Sequence, residues 1–218
     1  MKILITAGPT REPLDPVRYL TNRSSGKMGY ALAQAALEAG HQVTLISGPT
    51  ALTAPEGVSL IRIETARQMF EAVRDHLASQ DVAIFSAAVA DYRPAAVAEQ
   101  KIKKTGDTLT LTLTLEKTED ILGSARSLFG YTGFLVGFAA ETQHLLAHAE
   151  EKRQRKGCDL LIANDVSQPG IGFDSGENEV TLCLPDAAPI PLPRQTKAAL
   201  ARELLAFISQ QATLKTSL

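Results

Sequence analysis

The residues best suited to chemistry form a polar, glycine-containing run, Ser24-Ser25-Gly26-Lys27-Met28-Gly29, just after Asn22. This run lies downstream of a short apolar segment, residues 2–6, and a turn-rich loop, residues 7–13, and a helix is predicted to begin within it. Helix N-termini carry unpaired N–H donors and partial positive charge, so they favour phosphates and carboxylates. A strand, a loop and a helix in this order are typical of nucleotide-handling α/β folds. The run lacks the G-x-x-x-x-G-K-[ST] spacing, so it is not a P-loop.

A lysine cluster, Lys101-Ile102-Lys103-Lys104, follows the loop 87–94, which leaves the end of an apolar strand. Ligands of open α/β sheets bind at the carboxyl ends of the strands, and lysines there can neutralise phosphates as point charges. The alternative is a solvated run of charge without a ligand. This cluster alone leaves both interpretations open.

Two further groupings point to the same edge of the sheet. Leu145, Ala149, Lys152 and Lys156 share one stripe of a predicted helix, which places two amines at the end of an apolar face. Lysines near the end of a helix also interact favourably with the helix dipole when no ligand is bound, so both interpretations stay open. Asn164-Asp165 follows another apolar strand, where the amide could orient a ligand and Asp165 could instead cap a turn.

The elements that must position these residues alternate between apolar strands and amphipathic helices. Runs that are apolar throughout, rather than alternating, indicate parallel strands buried on both faces, so we predict a Rossmann-like α/β fold with helices on both sides of the sheet. Thr65 and Gln68 form a capping-box pattern at one helix start. The predicted strands are 2–6, 42–47, 59–63, 81–86, 133–138 and 159–162; the predicted helices are 25–39, one from about 65, 142–156 and 196–209. Residues from about 211 to 218 are predicted to fray.

One segment, residues 108–115, alternates strictly between threonine and leucine, which predicts a strand with one dry face. A second antiparallel candidate, residues 179–184, precedes a proline-rich stretch, residues 185–193. Uncovered leucines on a flat strand would promote aggregation. We therefore predict a β-hairpin dimerisation arm at about 104–116 and 177–193 that buries these leucines against a second copy, the alternative being a hairpin folded on its own domain.

Length and charge limit the remaining possibilities. The 218 residues fit a single domain, 1–218, and the net charge of -2 provides no general positive field for nucleic acid or acidic membranes. No signal peptide or membrane span is apparent, so we expect a cytoplasmic protein. Cys158 and Cys183 lack metal-type spacing and are interpreted as buried core residues.

Taken together, these motifs resemble phosphopantothenoylcysteine synthetase, the ligase of coenzyme A biosynthesis. The resemblance covers nearly the whole chain, from Ile3 to about Phe207. The segments that carry it are 5–19 (ITAGPTREPLDPVRY), Asn22 with 24–29 (SSGKMG), 87–92 (AAVADY), 101–104 (KIKK), 137–142 (GFAAET) and 163–165 (AND). Their number and order make coincidence improbable.

The resemblance implies a two-step reaction. CTP, with Mg²⁺, activates the carboxylate of 4′-phosphopantothenate to an acyl-cytidylate and releases pyrophosphate, and the amine of L-cysteine then displaces CMP. It also implies that Lys101 acts in the activation step and that Asn22 acts on the acyl-cytidylate. The implied nucleotide contacts are Phe85, Ser86, Ala87, Asp91, Lys101, Glu119, Asp120, Ile121, Leu122, Phe138, Lys152 and Lys156. The implied substrate and phosphate contacts are Gly8, Asn22, Ser24, Ser25, Gly26, Ala87 and Ala88.

The family further implies a homodimer with a strand arm crossing between subunits, and a flavin-dependent decarboxylase that is commonly fused in front of this domain. Residues 118–121 depart from the Asn-Pro-Asp-Ile pattern of many relatives, because Glu119 replaces the proline. The choice of CTP over ATP comes from the family and not from the residues. Whether this chain is free-standing or part of a fusion stays open.

Two rival interpretations remain. A dinucleotide-dependent oxidoreductase would need G-x-G-x-x-G after the first strand and an acidic residue ending the second, and the sequence has neither. A non-catalytic nucleotide-binding module would not need both Asn22 and Lys101.

Overall fold

The computed structural model describes residues 1–103, 110–141, 145–165 and 175–216. Strands and helices alternate over most of this part of the chain. The strands are β1 (Lys2–Ala7), β2 (Arg11–Asp15), β3 (Arg18–Thr21), β4 (Gln42–Ser47), β5 (Ser59–Arg62), β6 (Val82–Phe85), β7 (Tyr92–Pro94), β8 (Leu115–Lys117), β9 (Phe134–Glu141), β10 (Leu160–Asp165), β11 (Glu177–Cys183) and β12 (Ile190–Thr196). The helices are α1 (Lys27–Glu38), α2 (Ala66–Leu77), α3 (Ile121–Ser127), α4 (Leu145–Lys156) and α5 (Lys197–Thr216).

The central sheet has eight strands in the order β12-β11-β10-β9-β6-β1-β4-β5. The strands from β5 across to β10 pair in parallel, and β11 and β12 add antiparallel to that edge. From β1 the chain moves towards β4, and from β6 it moves the opposite way to β9. The point between β1 and β6 is therefore a topological switch, where ligands of such sheets bind. The predicted Rossmann-like α/β fold is confirmed.

The core lies on both faces of this sheet. Alternate residues of each strand pack against α1 and α5 on one face, for example Ile5 and Ile84 with Leu204. The intervening residues, such as Leu4 and Ala83, pack with α2, α3 and α4 on the other face. This two-sided burial explains why the strands are apolar throughout. The capping box is also present, since the Thr65 hydroxyl accepts from Gln68 N while the Gln68 side chain accepts from Thr65 N.

The predicted dimerisation arm paired residues 104–116 with residues 177–193, and this pairing is wrong. Residues 177–193, expected in the arm, form β11 and most of β12 within the central sheet, where Val180 and Leu182 are buried. In the other segment, residues 104–109 lie outside the described residues, and β8 pairs with β7. Leu111, Leu113 and Leu115 are exposed. Dimerisation itself stays a prediction.

Two further elements, the loop after β1 and the last helix, differ from the sequence prediction. The loop after β1 contains the antiparallel hairpin β2–β3. Helix α4 is described from Leu145, so the predicted start at residue 142 lies outside the described residues. The predicted fraying from 211 is wrong as far as 216, because α5 continues and Ala212 packs into the core. Across the described ranges, no helix has both the length and the apolar character to cross a membrane, and the cytoplasmic location remains an expectation.

Candidate active site

A cleft of about 800 Å³ opens at the carboxyl ends of β1, β6, β9 and β10. It lies across the topological switch point, so strand ends, helix starts and loops from both faces of the sheet meet there. Its described lining residues are Thr6, Asn22–Gly29, Met69, Phe85–Val89, Asp91, Tyr92, Lys117–Leu122, Phe138, Ala139, Lys152, Lys156, Asn164, Asn178 and Lys197. This is a size and a position suited to a nucleotide or a drug-sized substrate.

The start of α1 forms one wall of the cleft. Its N-cap is Gly26, whose φ of 77° places it in the left-handed region, and in the described part of the chain no side chain makes a capping hydrogen bond to this helix. The first N–H groups of α1 are therefore the kind of donors that bind anions. Gly8, with φ of 73°, lies under this turn, and a Cβ built on Gly26 would stand 3.2 Å from Gly8 Cα.

Gly29 brings α1 close to the sheet. A Cβ at this position would stand 2.5 Å from Ala7 Cβ and 2.7 Å from Ser86 Oγ. Glycine is therefore required for the helix start to sit directly on the ends of β1 and β6. This close approach explains the second glycine of the Ser24–Gly29 run physically, where the sequence showed only a pattern.

Asn22 lies where the hairpin β2–β3 enters the cleft. Its Nδ2 donates to Ala88 O at 3.0 Å. The amide has a second N–H and an oxygen, so it can engage a ligand while it keeps this bond. Ala88 is itself fixed, because Ala88 N donates to Gly8 O at 2.9 Å and Ala88 O accepts from Thr10 N at 3.2 Å. Asn22 is thus held by the backbone at Ala88, which continues the pairing between the chain after β1 and the chain after β6.

The opposite wall is the start of α3 with the end of α4. Asp120 is the N-cap of α3, where Oδ1 accepts from Gly123 N at 3.0 Å and Oδ2 forms an ion pair with Lys156. Burial opposes ionisation of Asp120, but the Lys156 ammonium and the Gly123 N–H overcome it and lower the pKa of this carboxyl. Lys152 Nζ donates to Phe138 O at 3.2 Å. The two lysines predicted to share a stripe therefore both reach the cleft.

Glu119 is the residue that departs from the family pattern. It forms a two-pronged ion pair with Arg93, with both Oε atoms within 3.0 Å of Nη1. The carboxylate lines the cleft. The replacement of proline thus ties the start of α3 to β7, and a nucleotide contact by Glu119 stays a prediction.

The floor of the cleft contains three polar side chains from β10, β11 and α5. Asn178 is 3% exposed and Lys197 is 7% exposed, and both line the cleft together with Asn164. The Oδ1 atoms of Asn164 and Asn178 are buried without a hydrogen-bond partner among the described residues. Unpaired buried acceptors are costly, so they indicate a donor or a cation that arrives with a ligand.

Two lysines stand at the first position of helices whose starts line this cleft, Lys27 in α1 and Lys197 in α5. A positive charge at a helix N-terminus opposes the helix dipole. An anion bound at these helix starts would interact favourably with both lysines. The sequence prediction missed Lys197 and Asn178 as site residues; the available signal was the lysine placed directly after Thr196, at a predicted helix start.

The structure brings nearly all of the predicted site residues together. Gly8 lies just beneath the cleft rather than in its lining, and Lys101 is exposed and outside the described lining. Residues 101–103 of the lysine cluster therefore lie outside the cleft lining in this conformation, and residue 104 lies outside the described residues. The roles of all these residues stay predictions.

Both cysteines are buried and free, in agreement with their interpretation as core residues. Burial raises the pKa of Cys158 to about 12 and also raises the pKa of Cys183. A thiol with so high a pKa is a poor nucleophile. In the described part of the chain, no group of three or more His, Cys, Asp and Glu side chains is arranged to hold a metal ion.

The chain is similar to known proteins over almost its whole length. Residues 1–212 match the model of the DNA/pantothenate metabolism flavoprotein C-terminal domain. The bifunctional coenzyme A biosynthesis protein CoaBC of Vibrio vulnificus is 52% identical over 93% of this chain, and that of Escherichia coli is 48% identical over 94%. The chain spans about half the length of these curated relatives, 50% in each case.

A solved structure of the C-terminal domain of a bifunctional CoaBC protein superimposes with a TM-score of 0.81 at 42% identity. The match covers 96% of this chain and 94% of that one. The similarity therefore extends to the fold.

Proposed function

The chain belongs to the family of DNA/pantothenate metabolism flavoprotein C-terminal domains, and on that premise we propose that it is a phosphopantothenate–cysteine ligase of coenzyme A biosynthesis. It joins 4′-phosphopantothenate to L-cysteine through an acyl-cytidylate, with CTP as co-substrate. The names of its bifunctional relatives support the pathway. We also propose that it works with a decarboxylase, fused or separate.

The observation that carries this proposal is the charge of the cleft. Its lining holds the basic residues Arg23, Lys27, Lys117, Lys152, Lys156 and Lys197 against the acidic residues Asp91, Glu119 and Asp120. Two of these acids are already paired, Glu119 with Arg93 and Asp120 with Lys156. A cleft this basic, in a chain whose net charge is -2, is suited to polyanionic substrates such as a nucleoside triphosphate and a phosphorylated acid.

In the first step, a carboxylate oxygen of the substrate attacks the α-phosphorus of CTP. The bond from that phosphorus to the bridging oxygen breaks, and pyrophosphate leaves with the electron pair. The start of α1 and the lysines of the cleft would bind the phosphate oxygens, and the ammonium of Lys101 would stabilise charge at the α-phosphate. That role requires Lys101 to turn towards the cleft.

In the second step, the amine nitrogen of cysteine attacks the acyl carbon. The carbon–oxygen bond to the phosphate breaks, CMP leaves, and the amine loses a proton to solvent as the amide forms. Asn22 is suited to this step because its amide is fixed on Ala88 O and can donate to the acyl carbonyl oxygen. Loss of one such fixed donor typically costs about 10²–10³ in rate.

Mg²⁺ is the metal expected with the nucleotide, and it would neutralise charge on the phosphates and the leaving pyrophosphate. It prefers oxygen ligands and commonly keeps several waters. The Oδ1 atoms of Asn164 and Asn178, which accept no hydrogen bond from any described residue, fit such an ion because a carbonyl-type oxygen without a donor is a suitable ligand. These two residues would hold it.

We further propose a homodimer. Leu111, Leu113 and Leu115 are 59%, 38% and 42% exposed, and they lie at alternate positions before and within β8. An exposed stripe of leucines promotes association. Light scattering at micromolar concentration measures the mass directly, and a monomer would remove this part of the proposal.

The experiment that tests the activity measures pyrophosphate release by the purified chain with 4′-phosphopantothenate and Mg²⁺. CTP and ATP are compared, each with and without cysteine. The proposal predicts pyrophosphate with CTP, and an amide product only when cysteine is added. Absence of pyrophosphate with both nucleotides would reject the ligase; tight nucleotide binding without turnover would then favour a binding module.

Two variants test the assigned roles. Lys101→Ala should abolish formation of the acyl-cytidylate, whereas Asn22→Asp should let it form and accumulate. Rapid quench followed by chromatography separates the intermediate from the amide. Parent ligation rates in both variants would show that the role assignments are wrong even if the chain is a ligase.

A further inference from the structure

The two residues assigned to the reaction steps are connected by one small element, the hairpin β2–β3. Its outgoing strand β3 leads directly into Asn22. The tight turn at its other end carries Asp15, which is 3% exposed, and Arg18. This end of the hairpin contacts the segment that contains Lys101.

Asp15 contacts both sides of this junction. Its Oδ1 accepts from Val17 N and Arg18 N, each at 2.9 Å, which holds the turn of the hairpin. Its Oδ2 accepts from Arg18 Nε at 3.0 Å and from Ile102 N at 3.0 Å. A single buried carboxylate thus connects the hairpin to the residue directly after Lys101.

Both backbone polar groups of Ile102, its N–H and its C=O, are hydrogen-bonded to the hairpin. Arg18 Nη2 donates to Ile102 O at 2.8 Å, while the Ile102 N–H binds Asp15. A second backbone bond joins the same two segments, since Ala98 N donates to Leu14 O at 3.0 Å. The backbone around residue 102 is therefore fixed, while Lys101 keeps a long exposed side chain.

We propose that Asp15 is a positioning residue that holds the backbone between Lys101 and Ile102 against the β2–β3 hairpin, so that only the exposed Lys101 side chain has to turn towards the cleft for the carboxylate-activation step. This inference rests on the role proposed for Lys101. It assigns no contact with substrate to Asp15, which lies outside the described lining of the cleft. Asn22 has an anchor of its own outside the hairpin, on Ala88 O, so we expect the second step to proceed without Asp15.

The ionised form of Asp15 suits this role. The Arg18 guanidinium, followed by the N–H groups of Ile102 and Val17, holds the pKa of this carboxyl well below its usual range. Hydrogen bonds to a charged acceptor are stronger than those between neutral groups. The amide of Asp15→Asn would have the same size as the carboxylate. It would turn either an N–H group or a weaker, neutral acceptor towards Ile102 N–H and Arg18, so the contact would be weakened in both orientations.

The first test needs no activity. Amide hydrogen exchange at Ile102 is measured by mass spectrometry of peptides that cover residues 98–103 in the parent, Asp15→Asn and Asp15→Ala. Exchange in Asp15→Ala should be faster by at least about tenfold, since a bond to a charged group protects the amide. The control is Asp75→Asn, which removes an exposed ion pair with Arg74 on α2. Unchanged exchange in Asp15→Ala would overturn the proposal, whatever the activity of the chain.

The second test separates the two reaction steps. We expect Asp15→Asn to slow acyl-cytidylate formation by about 10²-fold, the cost of a misplacement of about 1 Å, with amide formation from supplied acyl-cytidylate at the parent rate. In a Lys101→Ala background, Asp15→Asn should slow the first step no further. Circular dichroism confirms that the variants are folded.

The outcomes distinguish this proposal from the proposed function. A parent chain that makes no acyl-cytidylate rejects the proposed function, and hydrogen exchange then decides by itself whether Asp15 holds Ile102. An active parent, with Lys101→Ala inactive and Asp15→Asn at the parent rate, rejects the positioning role alone. Equal slowing of both steps in Asp15→Asn would also overturn it, because a general structural defect would affect both.

Discussion

The substitution Gly29→Ala tests whether the close approach of α1 to the sheet builds the anion site. A Cβ at residue 29 would stand 2.5 Å from Ala7 Cβ. Carbon atoms in contact are about 3.5–4.0 Å apart, so the first turn of α1 must move by about 1 Å or more. A misplacement of that size costs about 10²-fold in rate, and we expect kcat/KM for pyrophosphate release to fall by that factor.

The effect of Gly29→Ala on stability should be small by comparison. Overpacking costs about 1–3 kcal/mol, and alanine in a helix recovers about 1 kcal/mol relative to glycine. At about 2–4 °C per kcal/mol for a chain of this size, the net loss of up to about 2 kcal/mol lowers Tm by at most about 8 °C. The variant therefore stays folded at assay temperature.

The assay combines pyrophosphate release with calorimetric titration of CTP. Gly176→Ala is the matched control, because a Cβ there meets nothing within 4 Å. A second variant, Ala7→Gly with Gly29→Ala, removes the nearest clashing atom and should recover part of the lost activity. Parent activity and parent CTP affinity in Gly29→Ala would refute the idea that this glycine sets the position of α1.

Three further predictions concern single groups. Lys197→Met should weaken CTP binding by about 10-fold to 100-fold, because it removes a charged donor from the cleft floor. Arg202→Met, on the exposed side of α5, is the control and should leave CTP binding unchanged. Calorimetric titration of CTP measures the Kd of each variant. Burial raises the pKa of both cysteine thiols, Cys158 and Cys183. In the native protein at mildly alkaline pH, neither should react with a thiol reagent. In concentrated guanidinium, which unfolds the protein, both should react fully. Hydrogen bonds from Arg18 and Ile102 lower the pKa of Asp15 in the native state. The contribution of Asp15 to stability is therefore complete above its ordinary pKa and is lost as the pH falls below about 4. The difference in Tm between the parent and Asp15→Asn should narrow in that acidic range, and a difference that widens there would contradict this reasoning.

Much of the fold could be predicted because its strands are simple. β4, Gln42–Ser47, begins and ends where its apolar run and the following glycine predicted. Burial on both faces leaves a continuous apolar segment that local pattern alone can recognise. The stripe containing Lys152 and Lys156 was predicted for the same reason, since helical spacing fixes which residues share a face.

The antiparallel edge could not be predicted from local pattern. Pro191 and Pro193 suggested a turn or an arm, yet both lie in β12, the last strand of the sheet. An edge strand tolerates proline because alternate N–H groups point away from the neighbouring strand. Whether a strand lies at an edge is a property of the whole sheet, so residues 177–193 gave no local sign of their place.

The hairpin β2–β3 was missed for a different reason. Glu12 and Asp15 are charged residues next to prolines, and that composition is typical of an exposed loop. In the structure both are buried, at 2% and 3% exposure, because they accept backbone hydrogen bonds from other elements: Glu12 from Ala66 N and Asp15 from Ile102 N. Partners that are 54 and 87 residues away cannot be inferred from local sequence.

The positions of Lys27, Lys197 and the two orphaned amide oxygens have one physical explanation. Each lysine places positive charge at the positive end of a helix dipole, and the Oδ1 atoms of Asn164 and Asn178 are buried with no hydrogen-bond donor among the described residues. Such features concentrate at functional sites. An anion would satisfy the lysines and helix starts, and a cation bound to it would satisfy the amide oxygens. One polyphosphate carrying a divalent metal would supply both. These features of the cleft thus favour the same class of substrate as the excess of basic residues in its lining.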